Sequence, residues 1–166
     1  MTRRGRHLLF WLVLTCGVVA DLFSKHFVFD FLSRRADGVY DVWPGVFMLS
    51  RHYNTGGPFS ILSGRNSWLV VVTLLALAVI FYLYLRAVRQ EKGLMLVTLS
   101  LLGAGALGNL FDRVDGGRVR DFLNFYLISY PVFNIADILI TAGGGLLVIE
   151  LLRRESGGQD AEASHS

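Results

Sequence analysis

The run FNIADILITAGGGLLVIELL (133–152) is apolar enough to cross a membrane, yet it opens with an amide, Asn134, and a carboxylate, Asp137, about one turn apart. Polar residues interrupt other apolar runs in the same way: Asp21 and Lys25 in one, and Asn109, Asp112 and Arg113 at the end of another, with Asp121 in the connection that follows. A charge at membrane depth costs about 2.5 kcal/mol or more, so each is a functional candidate by default. The plainer reading is a set of interhelical clasps and ion pairs, Asp21 with Lys25 or Asp112 with Arg113. Zinc hydrolysis would call for paired histidines, but His7, His26, His52 and His165 are scattered and no H-E-x-x-H is present. A serine or cysteine nucleophile would need a histidine base in reach, and no such pair shares the layer where the carboxylates gather. Carboxylates remain. Two aspartates at close range share one proton, so that one can act as base on a water while the other polarises a carbonyl. The spacing leaves open which two of Asp21, Asp112, Asp121 and Asp137 would do so.

The elements that must position these groups follow from composition. Of 166 residues, 53% are hydrophobic and only 17% charged, far from the average of a soluble domain. A helix needs about 20 apolar residues to cross a hydrocarbon core of roughly 30 Å. Four runs qualify, at about 8–29, 68–85, 94–111 and 133–152. The expected fold is therefore an all-α membrane protein of four transmembrane helices with a small β-rich periplasmic loop. Residues 1–7 form a cytoplasmic head, 8–152 a single bundle, and 153–166 a polar, unstructured tail. The first run also has the charged head and small residues, Val18 and Ala20, of a cleaved signal peptide. Its apolar pattern continues through Leu22, Phe23, Phe27 and Phe29, which favours a retained helix. Cys16, the sole cysteine, excludes an internal disulfide and reads as a small buried residue.

Orientation comes from the flanking basic residues. Arg3, Arg4 and Arg6, then Arg86, Arg89 and Lys92, then Arg153 and Arg154 fall on one side, which is expected to be the cytoplasm. Basic residues on the other side are interspersed with acids, so the acid-free head carries the assignment. Asp21 then stands roughly 20 Å along the first helix from Leu8, at about 1.5 Å per residue. That is the level of Asn109 and Asp112 at the end of the third span and of Asn134 and Asp137 at the start of the fourth. The segment between the first two spans mixes β-branched and aromatic residues with Pro-Gly and Gly-Gly, which predicts short strands and turns on the membrane surface. Trp43, Tyr53 and Trp68 suit an interfacial belt. The segment between the last two spans is apolar enough to lie in the interface. GAGALG (103–108) makes the third helix thin, as close packing requires.

A proton-coupled transporter would use intramembrane aspartates equally well. It would also want repeats and broken spans around a midplane site, which are absent here. A structural bundle that assembles with partners is a third reading.

Five motifs in order resemble those of the lipoprotein signal peptidases, or signal peptidase II: DLFSK (21–25), NTGGPF (54–59), GNLFDR (108–113), VRDF (119–122) and FNIAD (133–137). The resemblance implies a bacterial inner-membrane aspartyl peptidase that removes signal peptides from diacylglyceryl-modified prolipoproteins among membrane lipids. It implies neither cofactor, metal nor nucleic-acid partner. It also chooses among the carboxylates, implying Asp121 and Asp137 as the catalytic pair. Asn54, Asn109, Arg113 and Asn134 would line or brace the site, with Asp21, Lys25, Gly56 and Asp112 also supporting it. Pro58 departs from the alanine usual in the family, and proline removes a backbone donor and fixes φ.

Overall fold

A computed structural model describes residues 1–55, 66–90, 92–128 and 130–163, with side chains described as far as Arg153. Gly56 and Pro58 lie outside the described residues. Four long helices, α1 (Arg3–Ser33), α2 (Asn66–Arg89), α3 (Gly93–Gly116) and α4 (Ile135–Ala163), are joined by a small sheet of β1 (Val39–Trp43), β2 (Phe47–Asn54) and β3 (Val119–Asn124). Each helix contains a stretch long and apolar enough to cross a membrane. All four extend past or shift from the apolar runs, because a helix does not stop where hydrophobicity does. At the start of α1 Thr2 accepts the N–H of Gly5 at 3.2 Å, capping the helix ahead of its arginines. At the end of α3 Gly117 takes a left-handed conformation, φ 69°, and returns its N–H to the Arg113 carbonyl. That turn redirects the chain into β3.

The bundle wears its apolar residues outside. Leu8, Leu12, Val19, Phe23 and Phe27 of α1 and Val71, Leu74, Leu75 and Val79 of α2 are exposed, whereas Asp21, Lys25, Asn109 and Asp112 are buried. Lipid can solvate the first set and only protein partners can satisfy the second. Cys16, expected inside, is exposed on α1 for the same reason: an apolar exterior needs no cover in a bilayer. The described backbone of α4 runs on as helix to Ala163, where an unstructured tail was expected. Once a span has nucleated a helix, each further residue needs only one more hydrogen bond.

α3 is the central helix, packed on α1, α2 and α4, and its small residues permit the approach. A Cβ at Gly105 would press into the Ala136 carbonyl and Ile140, and one at Gly108 into the Asp21 carboxylate. α2 differs: its buried residues, Tyr84, Ala87 and Val88, all lie near its C-terminal end. They pack with Phe10, Leu96 and Leu99, Tyr84 stacking on Phe10 at 4.0 Å between ring centres. The other half of α2 stands away from such packing.

The α1–α2 and α3–α4 connections both contribute to the sheet. The expected short strands are present as β1 and β2, paired as a hairpin, and β3 adds antiparallel to β2 with His52 opposite Asp121 and Asn54 opposite Val119. β3 was not expected as a strand; the sequence suggested only an interfacial segment. Leu123 and Phe133 then exchange backbone hydrogen bonds at 2.9 and 3.1 Å, which ties β3 to the residues just before α4.

The glycine contacts make a testable contrast. Gly105→Ala should lower the thermal unfolding midpoint in detergent, since overpacking costs about 1–3 kcal/mol. Gly144 has nothing within 4 Å of its would-be Cβ, so Gly144→Ala should leave the midpoint unchanged or raise it.

Candidate active site

Two polar systems meet at the end of the bundle that carries the sheet. The first is ionic. Lys25, fully buried, places its Nζ 2.7 Å from Asp21 and 3.2 Å from Asp112. Asp21 also accepts the N–H of Ala136, in the first turn of α4, at 2.8 Å, where the helix dipole favours an anion. Asp112 binds the Arg120 guanidinium at 2.6 and 3.0 Å and the Arg120 N–H at 2.9 Å. Two carboxylates thus face two cations. The Asp21–Lys25 pair stands as expected, but Asp112 pairs with Lys25 and Arg120 rather than with Arg113. Successive helix residues point about 100° apart, so Asp112 turns toward α1 and β3 while its neighbour turns away.

The second system is built on neutral amides. Asn134 is the cap of α4 rather than part of its face. Its Oδ1 accepts the N–H of Asp137 at 3.0 Å, and Asp137 Oδ2 accepts the N–H of Asn134 at 3.2 Å. This is the reciprocal geometry of a capping box, and the N-x-x-D spacing ahead of an apolar run was the signal for it. The Asn134 Nδ2 group donates to Asp121 Oδ1 at 2.6 Å and to Asn109 Oδ1 at 3.1 Å. Asn109 Oδ1 also receives Lys25 Nζ at 3.2 Å, which leaves its Nδ2 to donate to Asp137 Oδ1 at 2.8 Å. Asn54, the last residue of β2, donates to Asp121 Oδ2 at 3.1 Å. Every oxygen of Asp121 and Asp137 is oriented by an uncharged N–H.

Asp121 and Asp137 line one cavity of about 480 Å³, with Asn54, Asn109 and Arg113 beside them. Asp21 and Asp112 are not in its wall. Val72, Ala76, Ile80, Leu102, Ala106 and Ile140 carry the cavity down between α2, α3 and α4. Tyr130, Pro131, Val132 and Phe133 close another side. Arg113 is within electrostatic reach of both cavity carboxylates, and its Nη1 lies 3.4 Å from the Asn109 carbonyl. Burial raises the Asp121 carboxyl to a pKa of about 6, and the charge of Asp137 pushes the same way. Hydrogen bonds from Asn54 and Asn134 and the charge of Lys25 oppose that rise. An acid with such a pKa can hold or release a proton near neutrality.

Sequence reasoning missed two residues that hold this arrangement. Arg120 closes the ionic system, and Asn66, at the start of α2, donates to the Arg113 carbonyl at 3.1 Å. Arg120 stands next to Asp121 in an alternating strand, so opposite orientations were implied once the strand was known. Nothing local marked Asn66.

A family model described as Signal peptidase (SPase) II matches residues 13–153. The lipoprotein signal peptidase of Symbiobacterium thermophilum is 40% identical over 144 residues, spanning 86% of this chain and 93% of that protein. That of Staphylococcus aureus is 33% identical over 153 residues, spanning 91% and 92%. Two bacterial membrane enzymes solved by the in meso method share the fold, with TM-scores of 0.78 and 0.73 at 31% and 32% identity. They match 89% and 86% of this chain and 90% and 92% of their own chains. A polar site at one end of a four-span bundle, on a chain matched along most of its length, therefore places this protein in the signal peptidase II family, as a multi-pass membrane peptidase.

Proposed function

We propose that this chain is an aspartyl endopeptidase that removes the signal peptide from diacylglyceryl-modified prolipoproteins at the outer face of the bacterial inner membrane, with Asp121 and Asp137 as the catalytic pair. The observation that carries this reading is the division of the carboxylates. Asp21 and Asp112 are tied to Lys25 and Arg120, whereas Asp121 and Asp137 face the cavity and, among the described residues, accept their hydrogen bonds from neutral donors. Ionised neighbours repel, so the pair keeps one proton between them. Burial and the charge of Asp137 raise the Asp121 carboxyl, which suits it to carry that proton while its partner acts as base. Water attacks the scissile carbonyl as its proton passes to Asp137, and Asp121 protonates the carbonyl oxygen. On collapse the tetrahedral hydroxyl returns its proton to Asp121, Asp137 protonates the leaving nitrogen, and the C–N bond breaks. The apolar walls below the pair suit a signal helix and acyl chains, and a lipid anchor would hold the scissile bond at the height of the carboxylates. Arg113 is placed to attract a substrate carbonyl.

The decisive test is cleavage of a purified lipidated precursor, compared with its unlipidated form. Asp121→Asn and Asp137→Asn should each lower turnover by about 10² to 10⁴, the usual worth of general acid-base assistance. Two groups acting as a unit are not additive, so the double variant should be scarcely worse than either. Chelators should not affect the wild type. Substantial turnover by either single variant removes the pair from the mechanism.

Asn54 allows a test by pH. Its hydrogen bond lowers the Asp121 pKa, so Asn54→Ala should raise it. The alkaline limb of the rate profile reports loss of the shared proton, and it should move to higher pH. Turnover should also fall by roughly ten- to a hundredfold as the carboxylate loses its orientation. An unmoved limb with unchanged turnover would reduce Asn54 to a spacer.

Orientation is tested separately. With both termini cytoplasmic, a reporter active only in the periplasm should work when fused after Asp37 and fail after Gln90. The reverse would invert the bundle.

A further inference from the structure

A second pocket, of about 410 Å³, opens where the end of α1 meets the β1–β2 hairpin, lined by Arg35, Asp37, Ser50, Arg51 and Tyr53 among others. Its arginines are held in an unusual way. Arg35 lies 4.7 Å from the centre of the Phe31 ring and 4.5 Å from that of Tyr40. Arg51 lies 5.6 Å from the Phe29 ring, and Arg118, at the foot of β3, 3.8 Å from the Tyr53 ring. Phe29 and Tyr53 touch edge to face at 5.4 Å, so the row is continuous from Arg51 to Arg118. Arg34 is outside it, paired with Asp30 at 2.7 Å. Among the described residues, Arg35, Arg51 and Arg118 have no carboxylate within ion-pair distance. A guanidinium held by rings rather than by a carboxylate keeps an N–H fork with no anionic partner. That fork matches the oxygens of a phosphate. The row stands at the end of a membrane span, where lipid headgroups lie.

We propose that this pocket binds the phosphodiester headgroup of an anionic lipid. The headgroup oxygens take the N–H forks of Arg35 and Arg51, Arg118 adds attraction from the side, and the acyl chains run down the exposed apolar face of α1 beside Phe23 and Phe27. Asp37 is the opposing charge in the pocket. Its Oδ1 already accepts the Val39 N–H at 3.2 Å, which ties it to the turn, but it still weakens the field. Arg51 sits on β2, the strand that ends in Asn54, and Arg118 leads into β3, which carries Asp121. Lipid bound here would fasten both strands to the membrane surface.

The test uses the full chain in mixed micelles of neutral detergent with added lipid. Phosphatidylglycerol should raise the thermal unfolding midpoint in a saturable manner, and phosphatidylcholine should not. A basic residue near an anionic surface is worth about fivefold in affinity. Arg35→Gln with Arg51→Gln should therefore weaken the phosphatidylglycerol response, measured relative to the variant's own midpoint in phosphatidylcholine, by roughly twenty-five-fold. Asp37→Asn should strengthen it. Inorganic phosphate that reproduced the whole effect at the same concentration would overturn the lipid assignment, and so would an equal response in the arginine variant. Should that variant not fold, native mass spectrometry of the wild type decides the matter. Preferential retention of phosphatidylglycerol by the wild type, lost in Arg118→Gln, supports the site, and equal retention of both lipids overturns it. None of these readouts depends on proteolysis, so failure here leaves the catalytic reading untouched.

Discussion

Lys25 is a fully buried ammonium whose oxygen neighbours, among the described residues, lie on two helices: Asp21 at 2.7 Å, Asp112 at 3.2 Å and Asn109 Oδ1 at 3.2 Å. An unpaired charge at that depth would unfold the bundle or lose its proton, and removing one partner of a buried pair typically costs about 3–5 kcal/mol. The structure meets this constraint by closing a loop of charge. Asp21 and Asp112 neutralise Lys25, and Arg120 from the strand neutralises the remaining anion. Each closure fixes a neighbour. Asp21 holds the first turn of α4, and Asp112 holds the backbone of β3. One lysine thus sets the distance between the two elements that carry the cavity carboxylates.

The amides extend that control without adding charge. Because Lys25 and Asn134 both donate to Asn109 Oδ1, the Asn109 amide can turn only its NH₂ toward Asp137. Asn134 in turn caps α4 and reaches Asp121. A cation in either place would hold its carboxylate ionised, and an apolar residue would leave it unoriented. Neutral donors orient the acids and leave their protons exchangeable, which a shared-proton pair requires. Burial and the mutual repulsion of Asp121 and Asp137 then outweigh the hydrogen bonds, as the raised pKa of Asp121 records.

The cavity follows from a different asymmetry. α3 and α4 meet through small residues, Gly105 against the Ala136 carbonyl and Gly143 against Leu102. Such contacts bring backbones together and keep the polar layer rigid. α2 buries side chains only at the end where Tyr84 joins Phe10, and its other half, tied at its first residue by Asn66, forms one wall of the cavity. Rigid helices on one side and a loosely packed one on the other give an apolar slot beneath a fixed polar site.

The four spans and the level at which the polar residues gather were legible in the sequence, because hydrophobic run length and rise per residue are local quantities. The carboxylates and amides of that layer were legible too, since they interrupt apolar runs while the histidines are scattered. The capping box is present in the N-x-x-D spacing of Asn134 and Asp137. Other features no local rule could supply. Arg120 rather than Arg113 answers Asp112 because β3 crosses the end of α3. Asn109 points its amide at Asp137 because of a lysine 84 positions away in the chain. Which carboxylates face the cavity was likewise decided in three dimensions: all four sit near the same height, and only the packing of α1 and β3 against α3 uses up Asp21 and Asp112. Sequence fixes how deep a side chain lies and which residues share a turn with it, whereas its partner depends on which elements cross there, and crossings are a property of the folded chain.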